Sequence, residues 1–405
     1  MKKKHLVLVT TWFPPTNGVA VNRMDAFVKY FDKSKMDVSV ITLKKDVASL
    51  SFEKMYDADV YRLSNNSFFK LAEFNKGHSR LTHIAKVAWN YFVRTISKYP
   101  LSNWMKQVNK QLLQLHKEKP IDIVLTSSAP TESHLSVFSF LETHPTIKWI
   151  ADCRDELSLN PHLNHSAKRL NRSVEDYINK RASILTTVSH PIVADFQKLC
   201  PAVLVQEIKN GHQIVLPEIS DYHFNKVFTI VYAGTFYGAR KPDNFFKGLE
   251  NFITKGENLR NVHVRFIGTP KNFNYLSDKN ILIEFIEQCS YSDACKFQME
   301  ADANLLILPK LEAKGVYSGK LFDYLAACKP IIAVVDTTDV AAELINDCKA
   351  GFIADFDYVN AIESAIESAY QLWQTKTVLN CDRVKIEQLH RKYQVEKLNQ
   401  LIDKL

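Results

Sequence analysis

The run Gly315-Val316-Tyr317-Ser318-Gly319-Lys320-Leu321-Phe322-Asp323 sets two small residues and a lysine at what reads as the start of a helix, with Asp323 one turn later. Helix-start N–H groups and an ammonium suit phosphate, and a carboxylate one turn on can accept from ribose hydroxyls. A second run, Ala233-Gly234-Thr235-Phe236-Tyr237-Gly238-Ala239-Arg240-Lys241-Pro242, follows a strand-like segment and opens a helix. Gly234 and Gly238 give a ligand access to the backbone, and Arg240 and Lys241 supply two cations. Arginine binds phosphate oxygens bidentately and lysine acts as a point charge, so the pair suits a diphosphate.

The first half of the chain carries three more such loops. Thr11-Trp12-Phe13-Pro14-Pro15-Thr16-Asn17-Gly18 lies between an apolar run and a helix, without a GxGxxG dinucleotide fingerprint. Gly18, after Asn17, opens backbone N–H groups to a ligand. Ser127-Ser128-Ala129-Pro130-Thr131-Glu132-Ser133-His134 offers an imidazole that can serve as general base or orient a pyrophosphate oxygen. Asp152-Cys153-Arg154-Asp155-Glu156 gathers three carboxylates, Asp152, Asp155 and Glu156, each able to act as a base or to hold an acceptor hydroxyl, and Arg154 can pair with any of them. Asp57-Ala58-Asp59 matches a metal-binding DxD pattern but precedes a strand in the first half, where a turn explains it; no metal site is expected. The seven cysteines are scattered without a CxxC pair, which supports neither zinc nor a disulfide framework, and no acyl-transfer constellation surrounds Cys153.

These loops follow apolar runs that alternate with helical stretches. His5–Thr10, Asp37–Leu43, Val60–Leu63, Ile121–Thr126, Lys148–Ala151, Ile184–Val188 and Val203–Ile208 read as strands in the first half, with a helix over Arg23–Phe31 and a long helical region ending at Lys117. Phe228–Ala233, Val262–Ile267, Ile281–Phe285, Asn304–Leu308 and Ile331–Val335 continue the pattern. Strands alternating with helices predict α/β architecture with doubly wound parallel sheets, and ligands then lie beyond the carboxyl ends of the strands. The expected organisation is a Rossmann-like domain over 1–210, a linker over 211–225, and a second Rossmann-like domain over 226–381, the two facing across a cleft. A C-terminal helix over 382–405 is expected to pack back toward the first domain.

At 405 residues, 46% hydrophobic and 24% charged, the composition suits two globular domains. No apolar run reaches the roughly 20 residues of a membrane helix. The N-terminal Lys2–Lys4 and the short apolar run after it, stopped by Pro14-Pro15, read as a buried strand rather than a signal peptide, which predicts a cytoplasmic protein. The net charge of +8 is concentrated. Residues 66–120 hold ten basic residues, among them Lys86, Arg94 and Lys98, against Glu73 and Glu118, interleaved with aromatics such as Phe68, Trp89, Tyr91 and Trp104. Peripheral contact with an anionic membrane on the inner face of the cell membrane fits this stretch, and so does a solvated helix face with its aromatics in the core. Nucleic acid is not expected as a partner.

The motifs together resemble the GT-B glycosyltransferases, specifically family 4 and its relatives in bacterial capsule and lipopolysaccharide synthesis, over nearly the whole chain. Phe13-Pro14-Pro15 through Gly18 and Arg23 is similar to that family's opening, Trp149–Asp155 to its "DxRD" after a strand, and Tyr232–Phe236 with Arg240 to its glycine loop. Ser318–Ala327 with Pro330 resembles its "GKlfEYLaagkP" helix start. The resemblance implies that Gly18, Gly234, Arg240, Lys241, Ser318, Gly319 and Lys320 face the donor diphosphate, that Asp323 stands at the ribose-binding acid, and that transfer from a UDP- or GDP-sugar is retaining and needs neither metal nor cofactor. The implied acceptor is a glycan or a lipid-linked molecule of surface-polysaccharide synthesis. The chain departs from the pattern at three places. The paired acid eight positions before Asp323 is Gly315, with Glu312 nearby; the arginine after the loop glycine is Thr235; and Asp323 is one methylene shorter than glutamate. A nucleotide-sugar epimerase and a non-catalytic nucleotide-sugar-binding protein of the same architecture are the alternatives.

Overall fold

The computed structural model describes residues 2–45, 49–65, 82, 84–89, 100–236, 238–255, 261–269 and 281–405. The chain forms two compact units: residues 1–208 with 395–405, and residues 209–394.

The first unit is built on an eight-stranded sheet ordered β3-β4-β2-β1-β5-β6-β7-β8. Its strands are β1 (Lys4–Thr10), β2 (Met36–Leu43), β3 (Phe52–Met55), β4 (Ala58–Leu63), β5 (Ile123–Ser128), β6 (Lys148–Cys153), β7 (Ile184–Thr187) and β8 (Leu204–Glu207). All neighbours pair in parallel except β3 with β4. Residues along β1 alternate between two cores: Leu6 and Leu8 pack on one face, Val7 and Val9 on the other. A strand buried on both faces must be apolar throughout, and that is why it reads as a continuous run. Helices α1 (Val19–Tyr30), α2 (Ser102–Glu118), α3 (Glu132–Leu135), α4 (Phe138–Thr143), α5 (His165–Arg181) and α6 (His190–Leu199) complete the layers. The Asp57-Ala58-Asp59 match lies at the β3–β4 hairpin, with Tyr56 and Asp57 in the left-handed region at φ 51° and 59°. Asp59 lies 3.6 Å from Lys54.

The second unit carries a six-stranded, all-parallel sheet ordered β11-β10-β9-β12-β13-β14. The strands are β9 (Phe228–Ala233), β10 (Val262–Ile267), β11 (Ile281–Ile286), β12 (Ala303–Ile307), β13 (Ile331–Val335) and β14 (Gly351–Asp355). Counted from β9, this is the 3-2-1-4-5-6 order of a dinucleotide-binding fold, and the topological switch point falls between β9 and β12. The helices are α7 (Asp243–Thr254), α8 (Tyr291–Glu300), α9 (Gly319–Ala326), α10 (Val340–Asp347), α11 (Val359–Gln374) and α12 (Arg383–Gln388). Residues 211–225 belong to this unit; they are irregular apart from a single 3-10 turn at Ile219–Asp221 and a bridge from His212 to His390.

The last helix, α13 (Arg391–Asp403), starts in the second unit, and its residues from Val395 onward belong to the first. There Val395, Leu398 and Ile402 join the core that holds Leu6 and Leu8. Lys4 Nζ donates to the Ile402 carbonyl at 3.0 Å.

Much of the basic stretch, including Lys70, Lys76, Arg80, Arg94 and Lys98, lies outside the described residues. Within α2, Trp104, Val108, Leu112 and Leu115 are buried at helical spacing while Lys106, Lys110 and Lys117 are exposed. That helix is an ordinary amphipathic one with its aromatic residue in the core. Residues 84–89 differ: they are helical, and Ile84, Val87 and Trp89 are exposed. Among the described residues, no helix is long and apolar enough to cross a membrane, and no group of side chains could hold a metal ion.

Candidate functional site

Two loops of the second unit meet at the switch point. The first leaves β9 through Gly234, whose φ of 123° lies in the left-handed region. The second runs from β12 to α9, whose N-cap is Ser318. Helix α9 forms because Leu321, Phe322, Leu325 and Ala326 are all buried, and it stops where Cys328 turns left-handed and Pro330 follows. Lys320, in its first turn, reaches back to the β9 loop: its ammonium lies 3.9 Å from the centroid of the Tyr232 ring. A Cβ on Gly234 would stand 2.7 Å from Lys320 Nζ, so the glycine makes this approach possible. The Tyr324 hydroxyl accepts from Ala233 N–H at 2.9 Å and ties the two elements together.

The electrostatics are those of an anion site. The ammonium of Lys320 is desolvated and lies near the Arg240 guanidinium, and together these lower its pKa from 10.5 to about 7. Arg240 is half-buried, and Lys241 is exposed on the same loop. A phosphate placed there would relieve both the burial and the mutual repulsion. The first turn of α9 adds N–H groups without intrahelical partners at Gly319 and Lys320.

Asp323 is 7% exposed and accepts a 2.6 Å hydrogen bond from the Tyr291 hydroxyl. Burial raises its pKa to about 6, against the opposing pull of that bond and of Arg391. Arg391 is buried, and its Nη1 has no hydrogen-bond partner among the described residues. Gly315, where the resemblance would place an acid, turns with φ 98° and donates its N–H to Asp339 Oδ1 at 2.8 Å. Its neighbour Lys314 is paired with Asp336, whose pKa falls to about 2; burial alone would raise it, but Lys314 and Thr338 outweigh burial. Glu312 is exposed.

In the first unit the strand-end residues divide differently from expectation. Asp152 is not available as a base. It is fully buried, and its two oxygens accept four hydrogen bonds: Arg23 Nη2 at 2.6 Å and Thr186 at 2.7 Å on Oδ1, Arg23 Nε at 3.1 Å and Ser127 at 2.8 Å on Oδ2. Burial alone would raise its pKa, but the guanidinium and these bonds prevail and lower it. His134 is also fully buried, with Nδ1 at 2.6 Å from Thr126 Oγ1 and Nε2 at 3.6 Å from the Cys153 thiol. Burial lowers its pKa to about 4, so it stays neutral near pH 7, held between Thr126 and Cys153. Burial raises the Cys153 thiol well above its ordinary value, leaving it inert.

Asp155 is exposed, and Glu156 is buried. Arg154 donates to the carbonyls of Ser128 at 2.6 Å and Ala129 at 3.2 Å, joining the loops after β5 and β6. Asn17 and Gly18 are exposed. Gly18 has φ 143°, and a Cβ there would meet nothing within 4 Å, so only its backbone conformation calls for glycine. Trp12 is 36% exposed, with the Lys45 ammonium 2.8 Å from its ring centroid. Sequence reasoning missed Tyr291, Asp339 and Arg391 and gave the Tyr232 ring no partner; their contacts cross between separate elements of the chain.

No family model matches the chain, and no curated protein is similar to it in sequence. Solved structures are similar over the full length. A sucrose-phosphate synthase from Thermosynechococcus elongatus superposes with a TM-score of 0.68 at 12% identity, over 100% of this chain and 99% of that one. A trehalose-6-phosphate synthase, OtsA, gives 0.66 at 11% over 100% and 99%. Anabaena HepE in complex with UDP gives 0.63 at 12% over 99% and 100%. These neighbours are GT-B glycosyltransferases, and the present chain has the GT-B fold, with two Rossmann-like units.

Proposed function

We propose that the protein is a glycosyltransferase that moves a sugar from a nucleotide-sugar donor, a UDP- or GDP-sugar, to a glycan or lipid-linked acceptor in surface-polysaccharide synthesis. The observation that carries this reading is the convergence of Lys320, Gly234 and Arg240 at the switch point of the second sheet. It is a desolvated ammonium beside a half-buried guanidinium, with backbone access, in a fold shared with a UDP-bound protein. Lys320, Arg240, Lys241 and the start of α9 hold the diphosphate, and Asp323 accepts from a ribose hydroxyl. As the glycosidic bond to the leaving diphosphate breaks, the charge that develops is stabilised by these preorganised cations, which is the electrostatic route to a lower barrier. Transfer is retaining and proceeds without a metal. On the acceptor side stand Asn17, Arg154, Asp155 and Glu156, of which the exposed carboxylate of Asp155 is the one open to a hydroxyl nucleophile.

A thermal-shift screen of UDP-, GDP- and CMP-sugars, followed by product analysis with the best donor, tests the reading. Stabilisation by one nucleotide family and transfer insensitive to EDTA support it. A donor sugar converted to its epimer without acceptor identifies an epimerase; nucleotide binding without turnover identifies a binding protein. Peripheral membrane contact through 66–120 is favoured by the exposed Ile84, Val87 and Trp89. Loss of anionic-vesicle binding on charge reversal of Lys86, Arg94 and Lys98 is the expected result, and retained binding overturns it.

A further inference from the structure

The loop from β12 to α9, residues 308–318, has no regular structure, yet it ends on the N-cap of the phosphate-facing helix. Side chains from the loops after β13 and β14 hold it in place. Near its start Lys310 Nζ lies 2.9 Å from Asp355 Oδ2, at the end of β14. Further along, the Lys314 ammonium pairs with Asp336 and donates to Thr338 Oγ1 at 3.0 Å. At the next residue, Gly315 N–H donates to Asp339 Oδ1 at 2.8 Å.

Asp339 serves two elements with one oxygen. It is the N-cap of α10, and Oδ1 also accepts from Val340 N–H at 2.8 Å. The helix start therefore fixes the carboxylate, and the carboxylate fixes the loop. Gly315 is buried and turns at φ 98°, so its N–H needs an acceptor inside the protein. Asp336 is set in a similar way: its Oδ1 accepts from Thr338 N–H at 2.9 Å and from Thr338 Oγ1 at 2.8 Å. Asp339 joins the loop three residues before Ser318, outside the group of side chains that surrounds Lys320.

We propose that Asp339 is a positioning residue for the donor sugar, acting through the backbone of Gly315, with Asp336 as a second anchor through Lys314. The inference rests on the glycosyltransferase reading. With the diphosphate at Ser318–Lys320 and the ribose at Asp323, one turn further along α9, the direction of the donor is set. Its sugar is bonded to the far phosphate and lies on the side away from the ribose, where residues 315–317 enter the helix. Those residues have no ladder or helix of their own to hold them, so the two aspartates supply the rigidity. A reacting centre displaced by about 1 Å can lose rate by on the order of a hundredfold, whereas the nucleotide keeps its own contacts on α9 and the β9 loop.

The test uses the full chain and two substitutions. Asp339→Ser still caps α10 but is too short to reach Gly315, while Asp339→Asn both caps and reaches. UDP and GDP are titrated by calorimetry, and the tighter one selects the donors, UDP-glucose and UDP-galactose or GDP-mannose. Turnover is followed as released nucleoside diphosphate. Asp339→Ser should bind the free nucleotide within about twofold of wild type while kcat/KM falls by about tenfold or more; Asp339→Asn should keep most of the wild-type value. Amide exchange over 314–317 should quicken in Asp339→Ser and stay unchanged in Asp339→Asn. Wild-type kcat/KM in Asp339→Ser, equal losses of nucleotide affinity and kcat/KM, or an asparagine variant as impaired as the serine one overturns the proposal. A wild type that turns over none of these donors counts instead against the glycosyltransferase reading, and amide exchange then decides alone whether Asp339 holds the loop.

Discussion

Lys320 Nζ stands 2.7 Å from the point at which residue 234 would carry a Cβ, so these two residues, 86 positions apart, define one shared space. Gly234→Ala should displace the ammonium and also strain a backbone held at φ 123°. The steric cost is small because Nζ ends a flexible chain; the backbone cost is about 1–3 kcal/mol. Loss of a charge-assisted contact to phosphate should weaken nucleoside-diphosphate affinity by about tenfold to a hundredfold, read by titration calorimetry. Unchanged affinity in a folded variant would remove Lys320 from the phosphate site.

The depressed pKa of Lys320 predicts how that affinity varies with pH. In the free protein the lysine loses its proton near pH 7, and a bound diphosphate favours the ammonium, so binding takes up a proton above that pH. Affinity should therefore fall as pH rises beyond 7, by up to about tenfold per unit. Lys320→Arg should flatten the decline, because arginine stays charged. The apo protein should behave oppositely. Between about 7 and 10.5 the unfolded chain holds a proton that the folded state has lost, so this group's contribution to stability rises with pH.

Asp323 sets the acid limb. Its folded pKa of about 6 lies above the ordinary 3.8, so between these values the folded chain keeps a proton that the unfolded chain has released. Stability from this group falls as pH rises through that window, and the cost is complete above pH 6. A ribose hydroxyl needs the ionised acceptor, so nucleotide affinity should fall below pH 6. Tyr291→Phe removes a bond that favours ionisation, and it should move the midpoint upward while leaving the alkaline limb from Lys320 in place.

The Arg23–Asp152 pair predicts a stability effect in the first unit. Asp152→Ala leaves a guanidinium buried with its main partner removed, which costs about 3–5 kcal/mol. The melting temperature should fall by on the order of 10 °C. Nucleotide affinity should be unaffected in the fraction that remains folded. An unchanged melting temperature with lost turnover would restore Asp152 as a catalytic base.

Much of the sheet scaffold was legible because a strand buried on both faces has to be apolar at every position. Phe228–Ala233, Val262–Ile267 and Ile331–Val335 are strands over the ranges their composition indicates. The two missed strands are edges: β3 is exposed at alternate residues, and β14 is only half-buried, so neither leaves a continuous apolar run. Loop positions were legible for the same reason as the strands, because parallel sheets send their connections to one edge. The state of each side chain was not legible. Whether Asp152 is a base or an anchor depends on Arg23 and Thr186, one 129 positions before it and the other 34 after, and no local pattern announces such partners. Asp323 likewise shows its carboxylate but not the Tyr291 phenol that holds it.

The division of the chain has a consequence for how the molecule is made. The second unit is one uninterrupted stretch, 209–394, whereas the first needs residues 395–405 to fill the core around Leu6 and Leu8. During synthesis the half that emerges first is therefore the half completed last. Until Val395, Leu398 and Ile402 are added, the core around Leu6 and Leu8 stays incomplete, and the stretch that makes up the later half has by then been synthesised.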